Sequence, residues 1–400
     1  MQNITKPYFY TWSEQDTAPC FPLDKTLEYS FISNGHEIDE LSAISFQCSF
    51  GLKNKIIEGY IKDQLDNFGV CSAKADYQLK TDVTNKLLSL LKLESGKIFY
   101  TVSGAESVEN ALKVARIFTN KNKVAARFKS YHGATRGALE VTGDWRNRAA
   151  NVEQKNIVRL PDFQDDMDAS ESIKIIENNK NELAAIILET IPAANGVYVP
   201  TKEYLQALQS ACKSNGILFI LDEVVCGFYR TIEPFGYQNF NLKPDIVCMA
   251  KGISGGFIPF GAVYFNEKIS NYFNQNILPC GLTNYAHPLG LITLKAILEL
   301  TSTKSFQNQL HNNKITLENF IKSLHHEKNV DETRVIGLLS AIETKKYIPW
   351  DNFFKNNLSI VSIKDGNKGR IILSPFLTAP EDVLKKSLDK LLKNIREIDE

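Results

Sequence analysis

No charge of one sign prevails in this 400-residue chain. Its 46 lysines and arginines match 46 aspartates and glutamates, so no global field draws it to nucleic acid or an anionic membrane. Long apolar runs are missing too: the longest are five or six residues, far short of the roughly 20 that span a bilayer. The first residues, Met1 to Pro7, show no charged-then-apolar leader pattern. Seven cysteines stand apart at 20, 48, 71, 212, 226, 248 and 280 without a Cys-x-x-Cys pair. Their odd count and scatter argue against a disulfide framework or a zinc site, and for reduced thiols in the cytoplasm. No Gly-x-Gly-x-x-Gly follows a strand, which counts against a nicotinamide dehydrogenase. With 43% hydrophobic and 23% charged residues, the chain has ample core and the size of two domains.

What is present is alternation. Apolar runs predict strands at 97–102, 124–128, 184–188, 217–221, 246–250 and 262–265, with helices between them. Ser103 and Glu106 form a capping-box pattern, opening a helix that buries Val108, Ala111, Leu112, Ala115 and Phe118. Another helix covers 202–214 and stops at Gly216. Strands separated by helices imply an α/β fold with a mostly parallel sheet covered on both faces. A short strand at 370–374 and an amphipathic helix through Leu384, Leu388, Leu391 and Ile395 suggest a smaller α+β unit. We divide the chain into a large domain, 56–304, and a small one built from 1–55 and 305–400.

Chemistry concentrates at strand ends. Asp222 closes the run Ile217–Leu221, and Lys251 follows Ile246–Met249, 29 positions later. An amine and a carboxylate at the ends of neighbouring strands suit an aldehyde cofactor with a basic ring nitrogen. The amine condenses with the aldehyde, and the acid keeps the ring protonated as an electron acceptor. Glu189 ends another apolar run at the same sheet edge; a solvated strand-end acid is the plainer alternative. Ser103-Gly104-Ala105 offers free N–H groups and a helix dipole to a phosphate, or is simply an N-cap. Tyr131, in Tyr-His-Gly, lies flat on a cofactor ring or merely packs before a turn. Thr283 precedes a helix, as a phosphate ligand or as an ordinary cap.

Taken in order, SGAESVENALKVAR, SYHGATRGALEVTGD, ILETIPAANGVYVP, ILFILDEVVCGFYRT, PDIVCMAKGISGGFIPFGAV and CGLTNYAHPLG resemble the class III, ω-amino acid type, aminotransferases. The likeness covers roughly residues 8–345, and YTWSEQ and CGLT…HPL are nearest in wording to the taurine–pyruvate branch. The resemblance implies pyridoxal 5′-phosphate and the fold type I architecture of its transferases. It also implies a homodimer with shared active sites, a small amine or ω-amino acid as donor, and a 2-oxo acid such as pyruvate as acceptor. An aminomutase, epimerase or decarboxylase on the same scaffold is the alternative, and a catalytically silent relative the remote one.

Carried over, Lys251 binds the cofactor aldehyde and later moves the proton, while Asp222 pairs with the ring nitrogen. Gly104 and Ala105 hold the phosphate, joined by Thr283 of the other subunit. Tyr131 stacks on the ring, Val225 lies under it, and Glu189 stands on the Asp222 side. Two departures bear on substrate. Glu189-Thr190-Ile191-Pro192-Ala193 lacks the family's first proline and a glycine. No arginine stands at the usual spacing before Pro375-Phe376-Leu377, which leaves Lys364, Lys368, Arg370 or the Trp12 and Gln47 region to meet a substrate carboxylate.

Overall fold

The computed structural model describes residues 6–93 and 95–397; most of the stretch Met1 to Pro7 read for a leader pattern lies outside them. At its centre is a seven-stranded sheet in the order Gly96–Thr101, Gly261–Asn266, Ile246–Met249, Leu218–Asp222, Leu183–Glu189, Lys123–Arg127, Ile157–Leu160. Six strands run one way, and only Gly261–Asn266 is antiparallel to both its neighbours. Leu183–Glu189 and Leu218–Asp222 are buried at every position. That two-sided burial is why they read as unbroken apolar runs.

Helix Gly104–Thr119 starts where Ser103 Oγ accepts the Glu106 N–H (3.2 Å). The Glu106 carboxylate reaches back to the Val102 N–H (2.8 Å), one residue earlier than a capping box requires. Val108, Ala111, Leu112 and Ala115 are buried against the sheet, and Phe118 partly so. Each large apolar side chain buried this way contributes about 1.5–3 kcal/mol. Helix Lys202–Ser214 ends as expected, with Gly216 left-handed (φ +64°) after it.

Two smaller sheets were less visible in the sequence. One has the order Val330–Ile336, Leu339–Thr344, Lys368–Leu373, Val361–Asp365. The other takes strands Lys25–Thr26, Ser30–Ser33 and His36–Glu40 from the start of the chain and pairs the last, in parallel, with Leu358–Ser359. Helix Glu381–Arg396 buries Leu384, Leu388, Leu391 and Ile395. Arg230, 1% exposed, rivets the sheets together. Its guanidinium donates to Leu338 O (3.1 Å), Pro375 O (2.6 Å) and Ser49 Oγ (3.2 Å). Among the described residues no helix is long and apolar enough to cross a membrane.

Candidate active site

Strand pairing assembles the site. Glu189 lies opposite Asp222, and Asp222 opposite Cys248, three residues before Lys251. Three side chains chosen from sequence therefore meet at one sheet edge. Ser107 Oγ reaches Met249 O (3.2 Å) and Thr101 Oγ1 (2.7 Å), fixing the start of helix Gly104–Thr119 beside the lysine strand. A cavity of about 330 Å³ opens there, within the usual range of about 300–1,000 Å³ for small-molecule sites. Gly104, Ala105, Tyr131, Glu189, Asp222, Val225 and Lys251 all border it. Thr283 does not: it is exposed, ahead of helix Pro288–Thr301.

Asp222 is 5% exposed and its two oxygens are separately engaged. Oδ1 accepts the Val224 N–H (3.0 Å), and Oδ2 meets His132 Nδ1 (2.8 Å). A carboxylate only accepts, so Nδ1 carries the proton; Nε2, buried, has no partner. Glu189, beside Asp222, accepts the Tyr131 N–H (3.0 Å), while Arg127 donates to the Glu189 carbonyl (2.5 Å). Burial pushes the Glu189 carboxyl up to about 7; His132 pulls the other way and Asp222 adds to the rise. Glu223 is also pushed up to about 7 by burial, against hydrogen bonds from Thr190, Gly236 N (2.7 Å) and Tyr237 N (3.0 Å). Its task is to hold the following loop. Lys251 is itself left-handed (φ +49°), and burial lowers its amine pKa while Asp222 and Glu189 raise it. A lowered amine is easier to deprotonate and so a better nucleophile. The ring of Phe46 lies 5.2 Å from its Nζ.

These residues fit the cofactor. The first helical bond runs from Ser107 N to Ser103 O, which leaves the Gly104 and Ala105 N–H groups for an anion at the helix start. Gly104 must be glycine, since a Cβ would stand 2.8 Å from Val224 Cγ2. A second glycine, Gly133 (φ +130°), packs on Ala105 and keeps the mouth of this cradle open.

Sequence reasoning missed one important side chain. Arg146, on the short helix Trp145–Ala149, borders the cavity, its guanidinium 4.5 Å above Tyr131, 5.1 Å from Trp145 and 5.8 Å from Trp12. Asp144 holds one nitrogen (2.5 Å), and the buried Nε has no protein acceptor. Its sequence sign was faint: an Asp-Trp-Arg turn just after the Tyr-His-Gly motif. Of the residues the sequence offers for a substrate carboxylate, Trp12 borders the cavity and the three cations do not. Arg370 is bound by Glu343 (2.6 Å), Lys368 by Asp331 (2.7 Å), and Lys364 is exposed.

Comparison with known proteins agrees with this geometry. The model of the aminotransferase class-III family matches residues 32–395. A [LysW]-aminoadipate semialdehyde/glutamate semialdehyde transaminase of Sulfolobus acidocaldarius is 28% identical over 338 residues, 84% of this chain and 85% of that one. A beta-alanine–pyruvate aminotransferase of Pseudomonas aeruginosa is 28% identical over 334 residues, 76% of this chain and 74% of its own length. The structure of a taurine:2-oxoglutarate aminotransferase from Bifidobacterium kashiwanohense, in complex with PLP and glutamate, superposes with a TM-score of 0.90 at 28% identity. That match covers 98% of this chain and 95% of the other. By the family match over most of its length and by these likenesses, the chain has the fold type I architecture, belongs to the class-III aminotransferases and works with pyridoxal 5′-phosphate.

Proposed function

We propose that the donor is a small ω-amino acid, its amine remote from a carboxylate or sulfonate, and that the acceptor is a 2-oxo acid such as pyruvate. The observation carrying this reading is Arg146. It is a guanidinium at the wall of the cavity that holds Lys251, with a buried donor no protein group satisfies. The anionic end of a substrate in that cavity would pair with the guanidinium's exposed edge. The names of the taurine and beta-alanine enzymes fit such a donor.

When bound, pyridoxal phosphate supplies the electron sink. Lys251 would hold its aldehyde and, once displaced by substrate, its Nζ would act as the general base that takes the proton from the substrate carbon bearing the amine. Asp222, oriented by His132 and Val224 N–H, keeps the ring nitrogen protonated. Gly104 and Ala105 would hold the phosphate through backbone N–H groups. Tyr131 and Val225 would flank the ring, and Glu189 accepts the Tyr131 N–H. The exposed Thr283 supports a homodimer in which it serves the partner's phosphate. The same reading keeps 56–304 as the large domain and 1–55 with 305–400 as the small one. A cytoplasmic location is supported by seven cysteines without a disulfide.

Arg146→Met should lower kcat/KM for beta-alanine or taurine by roughly a hundredfold, the scale of a hydrogen bond to a charged group. For ethylamine, which has no acid, the change should stay within about threefold. Equal losses for both donors would mean that Arg146 only braces Tyr131. For the dimer, Thr283→Ala should weaken cofactor binding by about 1–3 kcal/mol; a fully active monomer in sedimentation would refute that role.

A further inference from the structure

Ala43, Ile44, Ser45 and Phe46 follow one another at φ values of +47°, +49°, +56° and +71°. None is glycine, and side chains resist this left-handed region because Cβ crowds the next carbonyl. Single residues visit it; four together persist only where the surroundings over-determine them. The turn matters because Ser45 and Phe46 border the cavity, with the Phe46 ring against the Lys251 amine.

Glu40 is the group that holds it. Its carboxyl is 3% exposed and borders no part of the cavity. It accepts both the N–H and the hydroxyl of Ser42, each at 2.5 Å. Ser42 passes the restraint on: its Oγ accepts the Ser45 N–H (3.4 Å), and its carbonyl takes the Phe46 N–H (2.7 Å) and the Ser374 hydroxyl (2.7 Å). Burial pushes the Glu40 carboxyl up, while hydrogen bonds from Ser359 and Ser42 pull it down. Behind the turn, Gly256 (φ +84°), in the loop after Lys251, admits Cys48 Sγ to within 2.7 Å of where a Cβ would stand. The turn is thus pinned between the buried acid and the loop that carries the lysine.

We propose that Glu40 is a positioning residue, whose buried carboxyl holds the left-handed turn 43–46 and so sets Phe46 against Lys251 and Ser45 against the substrate. This rests on the reading of the Lys251 cavity as the site of transamination. Glu40→Ala holoenzyme should show a donor KM raised about tenfold or more, with kcat within about threefold. The pH midpoint of its visible absorbance, which reports the Lys251 nitrogen, should fall as the ring face that favours positive charge withdraws. Glu40→Gln keeps a neutral acceptor in the same place and should restore both. Ile44→Gly, added to Glu40→Ala, should recover most of the KM, because glycine adopts the turn without strain. Should Glu40→Ala not fold, Glu40→Asp, which withdraws the oxygens from Ser42, carries the same expectations. An unchanged KM and midpoint, a Glu40→Gln as impaired as the alanine variant, or no recovery with glycine overturns the proposal. If instead Lys251→Ala retained turnover, the reading of the site would be at fault rather than the role of Glu40.

Discussion

Lys251→Ala should abolish turnover while leaving a folded protein. The side chain is partly buried at the end of strand Ile246–Met249, where it ties no other element by an ion pair among the described residues. Its removal therefore takes little from the fold. On the proposed roles, it takes from the reaction both the cofactor's covalent anchor and the general base. General acid–base work alone is worth about 10²–10⁴-fold, and losing the anchor adds to that. Borohydride treatment of wild-type holoenzyme should fix the cofactor to Lys251, read as a mass shift on one peptide. An adduct on another lysine would undo the assignment of the whole site.

Asp222→Asn should come next in effect: cofactor retained, most activity lost. The amide is the same shape and can still accept the Val224 N–H, so the local backbone stays in place. What disappears is the carboxylate that, on the proposed reading, keeps a proton on the ring nitrogen. Removing one such electrostatic partner costs about 10²–10³-fold. The neighbourhood offers no easy replacement. Glu189 stands near, but burial holds its carboxyl up to about 7, so near neutrality much of it is uncharged. Activity within about threefold of wild type would make Asp222 a mere strand-end acid.

The central sheet was legible because its strands are buried on both faces and carry continuous apolar runs. The same pattern places Glu189, Asp222 and Lys251 at strand ends on one sheet edge from sequence alone. The N-terminal strands were not legible, since His36–Glu40 has three acids and a histidine among five residues and reads as a loop. Its hairpin pairing with Ser30–Ser33 across Asn34-Gly35 is local, but no local signal reveals the parallel pairing with Leu358–Ser359, so distant in sequence. Arg146 escaped for a related reason. Beside Arg148 on the same short helix, nothing local says which one faces the cavity. Nor does the turn 43–46 announce itself, because left-handed backbone is expected at glycine and asparagine, not at Ala-Ile-Ser-Phe.

The pairing of His36–Glu40 with Leu358–Ser359 also sets a timetable. The strands Lys25–Thr26, Ser30–Ser33 and His36–Glu40 are made long before the strand that completes their sheet and the Pro375 carbonyl that receives Arg230. Closing so long a loop is slow, and until it closes an unpaired strand edge stays open to wrong partners. The Glu40 turn lies inside that late-closing region, with Ser374 bonded to Leu41 and Ser42. The central sheet can thus form while synthesis is still under way, but one wall of its cavity is finished only after the final strands arrive. A nascent chain would carry lysine and acid in place well before it could hold a substrate between them.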